Sequence, residues 1–131
     1  MRSGCALYNL QAHVHESISG GGNIDELMSL WTDDATFTAG GSTYDGKSEI
    51  RAFFLQSPGF THNWVSMSPL FKTNFRVHGR AADLYFECHF VDWQAVPQVV
   101  VTHTSLTGTA KKVHGRWLFR HITVAAIELT P

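Results

Sequence analysis

Apolar residues recur at Leu7, Leu10, Val14 and Ile18, a spacing near 3.6 that predicts an amphipathic helix from about Ser3 to Ile18. His13 and His15 are two apart on it, share no face and are read as surface residues, as are His78 and His114 in turns. Gly20-Gly21-Gly22 stops the helix. Asn23 is a good N-cap for a second one, with Glu26 placed to close a capping box and Ile24, Leu27, Met28 and Trp31 as its stripe. Thr32-Asp33-Asp34 ends that helix, and Ala35-Thr36-Phe37-Thr38 has strand chemistry. Gly40-Gly41 and Asp45-Gly46 turn the chain. Gly46 or Ser48 caps a third helix built on Ile50, Phe53 and Phe54, which Ser57-Pro58-Gly59 ends.

From Phe60 the period changes to two. Phe60 to Val77 reads as one long strand in which Pro69 marks an edge, a bend or a bulge. Ala81 to Trp93 alternates, with Ala82, Leu84, Phe86, Cys88 and Phe90 on one face and Asp83, Tyr85, Glu87 and His89 on the other. Val99 to Val113 and Arg116 to Leu129 come next, with short turns at His78-Gly79 and His114-Gly115. Helices first and antiparallel strands after imply an α+β fold: three N-terminal helices over a strongly curved, mostly antiparallel sheet that encloses a pocket. The Tyr85/Glu87/His89 row suits a wet face between two copies, so a homodimer through the sheet is expected.

Composition narrows the classes. The 131 residues suit one domain over 1–131. A net charge of −1 gives no bulk attraction for nucleic acid or an anionic membrane. No apolar run reaches the roughly 20 residues of a membrane span, and the start, MRSGCALYNL, lacks the apolar core of a signal peptide, so a cytoplasmic setting is expected. Cys5 and Cys88 make neither a metal spacing nor a disulfide framework. The eight histidines are unusual, because several fall within apolar strands.

Three segments carry a resemblance. Residues 27–37, LMSLWTDDATF, are similar to an "LxxLFxDDAxF" pattern; residues 46–54, GKSEIRAFF, to "GxxxIxxFF"; residues 114–119, HGRWLF, to "DGxWxI" with His for the usual Asp. They stand in the right order, and the overall match extends over nearly the whole chain. The chain thus resembles the nuclear-transport-factor-2-like superfamily, in its SnoaL-like, polyketide cyclase-like branch. The resemblance implies an α+β cone but no one reaction, since the superfamily hosts isomerases, dehydratases, cyclases and non-catalytic subunits.

Scytalone dehydratase and the hexachlorocyclohexane dehydrochlorinase carry a catalytic histidine at what looks like His62, oriented by an aspartate at the end of the first helix. The matching place here is Ser19 or Gly20, so that dyad is not intact. Ketosteroid isomerase carries its proton-shuttling aspartate where this chain has Ala39. His62 remains the candidate general acid/base. His103 lies in an apolar strand, and His121 is in register with Trp117 and Phe119, two positions that the resemblance turns inward. If the three converge they form a proton-relay cluster; zinc is the alternative weighed, and no metal or cofactor is expected. Trp31, Phe37, Tyr44, Phe54, Trp64, Phe86, Cys88 and Phe119 are the expected walls of a pocket for an apolar small molecule, with Trp93 a further aromatic candidate. The expected function is cofactor-independent proton-transfer chemistry of cyclase, isomerase or dehydratase type. The alternative is a non-catalytic ligand-binding or assembly module of the same fold.

Overall fold

The computed structural model describes residues 3–19, 22–62, 64–68 and 72–127. Helix α1 (Ser3–Ile18) has the predicted bounds. Its stripe of Leu7, Leu10, Val14 and Ile18 is buried, which contributes about 1.5–3 kcal/mol per side chain. Helix α2 (Ile24–Met28) begins as expected, Asn23 Oδ1 accepting the Glu26 N–H at 3.1 Å. The capping box does not close, because the Glu26 carboxylate turns to His13 Nδ1 at 3.4 Å.

The helix stops at Met28, short of Trp31, because the sheet claims the residues from Leu30 on. The Phe119 N–H donates to the Leu30 carbonyl at 2.8 Å. Trp31 opens β1 (Trp31–Ala39), nine residues where the pattern suggests four. Trp31 pairs with Phe119 and Thr36 with His121, so residues 32–35, with Thr32-Asp33-Asp34 leading, bulge out of the parallel ladder between them. That polar bulge reads in sequence like a helix end. Gly40 and Gly41, at φ 60° and 82°, make the two-residue turn to β2 (Ser42–Asp45). Gly46 caps α3 (Lys47–Gln56), and the short α4 (Pro58–Thr61) adds a turn where a strand was expected.

The predicted long strand divides into β3 (Val65–Met67) and β4 (Asn74–His78), both paired with β5 (Ala81–Asp92). Pro69 lies outside the described residues, as do the last residues of the final predicted strand. Strand β6 (Val99–Val113) joins β7 (Arg116–Ala126) through His114 (φ 50°) and Gly115 (φ 79°), as the sequence predicts. The sheet runs β2-β1-β7-β6-β5-β3, with β4 also on β5, and among the described strands only β1–β7 is parallel. Helices over one face of this sheet give the expected α+β cone, with the core between the two layers.

Two bulges set which side chains face inward. In β7, Phe119 pairs with Ala110 but His121 with Thr109, leaving Arg120 as the extra residue. Phe119 and Ile122 are therefore both buried, and His121 faces out. Gly108 lies opposite this distortion, where a Cβ would collide with the His121 carbonyl. In β6, the shift between Phe90/Thr102 and Val91/Val100 leaves Val101 unpaired.

Candidate functional site

Between α1, α3 and the inner face of the sheet lies a cavity of about 220 Å³. Trp31, Phe37, Phe54, Trp64, Phe86, Cys88 and Phe119 all line it. The rings pack as tilted and stacked pairs, with Trp31 to Phe119 at 5.4 Å, Phe37 to Phe54 at 5.1 Å and Phe86 to Phe119 at 6.1 Å between centroids. Tyr44, expected among them, lies outside. It shares a face with its partner Phe37, but β2 is the sheet edge and Phe53 fills the space between, 4.8 Å from Tyr44 and 5.1 Å from Phe37. Trp93 is exposed beyond the end of β5.

The sequence reading does not anticipate the cavity's buried polar corner. His15, read as a surface residue, lines the cavity. Its Nδ1 is 2.6 Å from Ser66 Oγ, and Ser66 Oγ is 3.1 Å from Cys88 Sγ. Burial, with a smaller contribution from His89, lowers the His15 pKa to about 4, so the ring is neutral near pH 7. Burial raises the Cys88 thiol to about 11 against the pull of its Ser66 hydrogen bond, so it carries no thiolate. The Thr104 hydroxyl, also at the wall, donates to the Cys88 carbonyl at 2.7 Å, and the Phe90 N–H donates to Thr102 Oγ1 at 3.1 Å.

His15 belongs to a polar edge of α1. Gln11, His15 and Ser19 stand at i, i+4 and i+8. Gln11 Nε2 donates to Ser68 Oγ at 2.9 Å and to Thr73 Oγ1 at 3.2 Å. Ser19 Oγ accepts the Ser66 N–H at 2.8 Å and donates to the His15 carbonyl at 2.6 Å. This edge fastens the helix to β3. The four-residue spacing is the available signal; comparing His15 only with His13 hides it.

His62, His103 and His121 do not meet, and none lines the cavity. His62 is exposed and stacks on Trp64 at 4.6 Å, one ring removed from the cavity. His121 faces out because of the Arg120 bulge, its Nδ1 2.8 Å from Thr36 Oγ1. His103 faces out because Thr102 and Thr104 beside it face in. There it joins a second network. His103 Nδ1 is 3.1 Å from His89 Nδ1, and His89 Nε2 is 2.8 Å from Glu87 Oε1. Tyr85 donates to Glu87 Oε2 at 3.2 Å, and Lys72 Nζ is 3.9 Å from it. Burial alone would raise the Glu87 pKa, but the bonds from His89 and Tyr85 and the charge of Lys72 outweigh it and hold the carboxyl below its usual range. Burial and the Glu87 contact raise Tyr85. Among the described residues no group of three or more His, Cys, Asp or Glu could hold a metal ion, and no helix is long and apolar enough to cross a membrane.

An antiparallel sheet with one internal parallel pair, curled under helices around an apolar cavity, is the fold of solved structures described as nuclear-transport-factor-2-like with a cystatin-like fold. A Mycobacterium tuberculosis protein of unknown function superposes with a TM-score of 0.82 at 14% identity, over 95% of this chain and 72% of that one. A nuclear-transport-factor-2-like protein with a cystatin-like fold from Novosphingobium aromaticivorans gives 0.80 at 14% identity, over 95% and 82%. A protein of the same organism described as a candidate scytalone dehydratase gives 0.77 at 12% identity, over 96% and 85%. Other structures of this fold carry hydroxylase, isomerase and dehydratase names, so the likeness defines a fold and no one reaction. No protein-family model and no curated protein sequence matches the chain.

Proposed function

We propose that the chain is a small-molecule-pocket protein that takes an apolar, ring-containing ligand into the cavity beneath α1. The observation that carries this reading is the cavity itself, about 220 Å³ walled by aromatic rings, with the neutral His15 at its buried polar corner. Cofactor-independent cyclase, isomerase or dehydratase chemistry is the catalytic form of this reading, and structures of this fold that carry dehydratase and isomerase names favour it. That chemistry needs a base. His62, stacked on Trp64, would reach a ligand through movement of that ring, while His103 and His121 stand on the other face of the sheet. The binding-module form is favoured by a specific feature: among the described residues no carboxylate lines the cavity, and its one thiol is held protonated.

Quenching of tryptophan fluorescence by small bicyclic aromatics tests the binding reading, since Trp31 and Trp64 both line the cavity. Saturable binding at micromolar concentration is expected, and abolition by filling the cavity with Ala39→Trp. Absence of saturable binding by any such compound would sink it. His62→Ala separates the two forms: with a turned-over substrate, the catalytic form requires a loss of kcat without a loss of binding.

The same reading assigns the outer sheet face to a second copy of the chain. Val65, Met67 and Val100 are exposed there around the Glu87–His89–His103 network. Sedimentation of wild type and Met67→Lys tests it: wild type runs as a dimer and the variant as a monomer, and a monomeric wild type overturns it.

A further inference from the structure

The proton positions in the polar corner restrict what the cavity can receive. Ser66 has one hydroxyl proton and two neighbours, His15 Nδ1 at 2.6 Å and Cys88 Sγ at 3.1 Å. A contact of 2.6 Å is short for an N–H···O bond, whose usual length is about 2.9–3.0 Å, and suits a hydroxyl donor better. Ser66 therefore donates to the bare Nδ1, and the Cys88 thiol, protonated in this setting, donates to Ser66 Oγ. A neutral imidazole carries one proton. With Nδ1 accepting, that proton is on Nε2.

His15 Nε2 is buried and has no partner among the described residues. Trp31 Nε1, an obligate donor on a second residue of the cavity wall, is likewise buried without a partner among them. Phe86 and Phe37 meet these rings edge-on, at 5.8 and 5.7 Å between centroids, which is packing and no hydrogen bond. Of the other polar residues of the wall, Thr104 donates to the Cys88 carbonyl and Thr102 accepts from Phe90, while Ser57, like His15 half-buried as a whole residue, has no polar side-chain atom buried without a partner. Among the described residues the side chains of the wall thus include two buried donors without a partner and no such acceptor.

We propose that His15 acts on the cavity as a hydrogen-bond donor, and that the molecule it receives is a compact, flat, largely hydrocarbon carbonyl compound. This rests on the cavity reading above and deepens it. Size and polarity agree. A dry cavity of roughly 150 Å³ holds benzene, so one of about 220 Å³ suits a fused bicycle. A carbonyl oxygen accepts from an N–H donor and brings no proton of its own. Ammonium-type cations, which only donate, would meet two donors. As a neutral donor the ring can polarise a carbonyl without giving up its proton, a role different from that of a general base.

The test compares 1-indanone with indane, two bicycles that differ in one oxygen. Wild type should bind indanone about tenfold more tightly, because indane leaves the buried donors unmet. The preference should disappear in His15→Phe and shrink in Trp31→Phe. The carbonyl stretch of bound indanone should move to lower frequency in wild type but not in His15→Phe. Nitrogen NMR of wild-type His15 at pH 7 should show the proton on Nε2, a readout that needs no variant to fold. Equal affinities for the two compounds, or a proton on Nδ1, overturn the donor assignment and leave the cavity reading standing. Failure of both compounds to bind overturns the cavity reading and this inference with it.

Discussion

Strand β5 carries two kinds of site on its two faces. Inward, Phe86, Cys88 and Phe90 help to wall a cavity whose buried histidine, His15, bonds to a hydroxyl and not to a carboxylate. Outward, Tyr85, Glu87 and His89 join His103 in a chain anchored on a carboxylate. The same pleat separates them by a single residue. The contrast shows what a neighbour does to a buried imidazole. A hydroxyl can fix a tautomer but cannot balance a positive charge, so inside the cone desolvation decides and the ring stays neutral. A carboxylate can balance that charge, and across the sheet Glu87 is held ionised by the donors around it.

The inner face should break hardest. Phe86 is fully buried between the helical layer and Phe119. Phe86→Ala is expected to lower the unfolding free energy by about 3–5 kcal/mol, read from urea midpoints at constant slope. A loss below about 1 kcal/mol would mean that the cone collapses around the gap and that its cavity is not rigid.

Acid sharpens the comparison next. The folded His15 pKa of about 4 lies below the unfolded value near 6.5. The unfolded chain therefore takes up a proton before the folded one does. The contribution of His15 is full above pH 6.5, falls as the pH drops from 6.5 to 4, and levels off below. A depression of this size corresponds to about 3 kcal/mol. Urea midpoints from about pH 7.5 to 4 should show the loss, and His15→Asn, which can keep an acceptor beside Ser66, should flatten it. Glu87 contributes with the same sign at lower pH: its depressed carboxyl stabilises the fold above the ordinary carboxylate range, and the effect is lost as the pH falls through its folded value. A midpoint in wild type that does not change between pH 6.5 and 4 would contradict the buried neutral ring.

On the outer face, Glu87→Gln keeps the shape and removes the charge. The bonds from His89, Tyr85 and Lys72 then lose their charged acceptor, and a cost of about 1–2 kcal/mol is expected. Binding of a bicyclic probe in the cavity should not change, since Glu87 does not line it. An affinity change of tenfold or more would show that the two faces are coupled through β5.

Much of this is legible in the chain, and the remainder is hidden for identifiable reasons. The period of α1, the alternation of β5 and the turns at Gly40-Gly41 and His114-Gly115 are local signals, and local rules find them. The DDAxF and GxxxIxxFF segments place the fold, and seven aromatic or sulfur-bearing walls come with it. Trp31 reads as helical because its spacing from Leu27 is helical; its strand state comes from pairing with Phe119, far away in sequence. Strict alternation turns His121 inward, but the Arg120 bulge breaks it, and nothing near residue 120 in sequence announces a bulge that lies opposite Thr109 and Ala110. His15 is hidden for a different reason. A histidine on the polar flank of an amphipathic helix looks exposed until a strand arrives to cover it. That strand, β3 with its Ser66, is a three-residue edge strand that the sequence does not separate from its neighbours.

The smallest predicted effect tests where the cavity ends. Tyr44 and Phe54 both flank Phe53, yet only Phe54 borders the cavity. Tyr44→Ala removes a ring from the sheet edge and should leave probe affinity within about twofold, the range expected for a substitution away from a site. Phe54→Ala enlarges the space directly and should shift affinity several times more, toward larger ligands. If instead Tyr44→Ala moves affinity as far as Phe54→Ala does, Phe53 is not the boundary. The cavity would then extend under α3 to the outer groove that Tyr44 shares with Glu49 and Gln56, and the ligand would be longer than a bicycle.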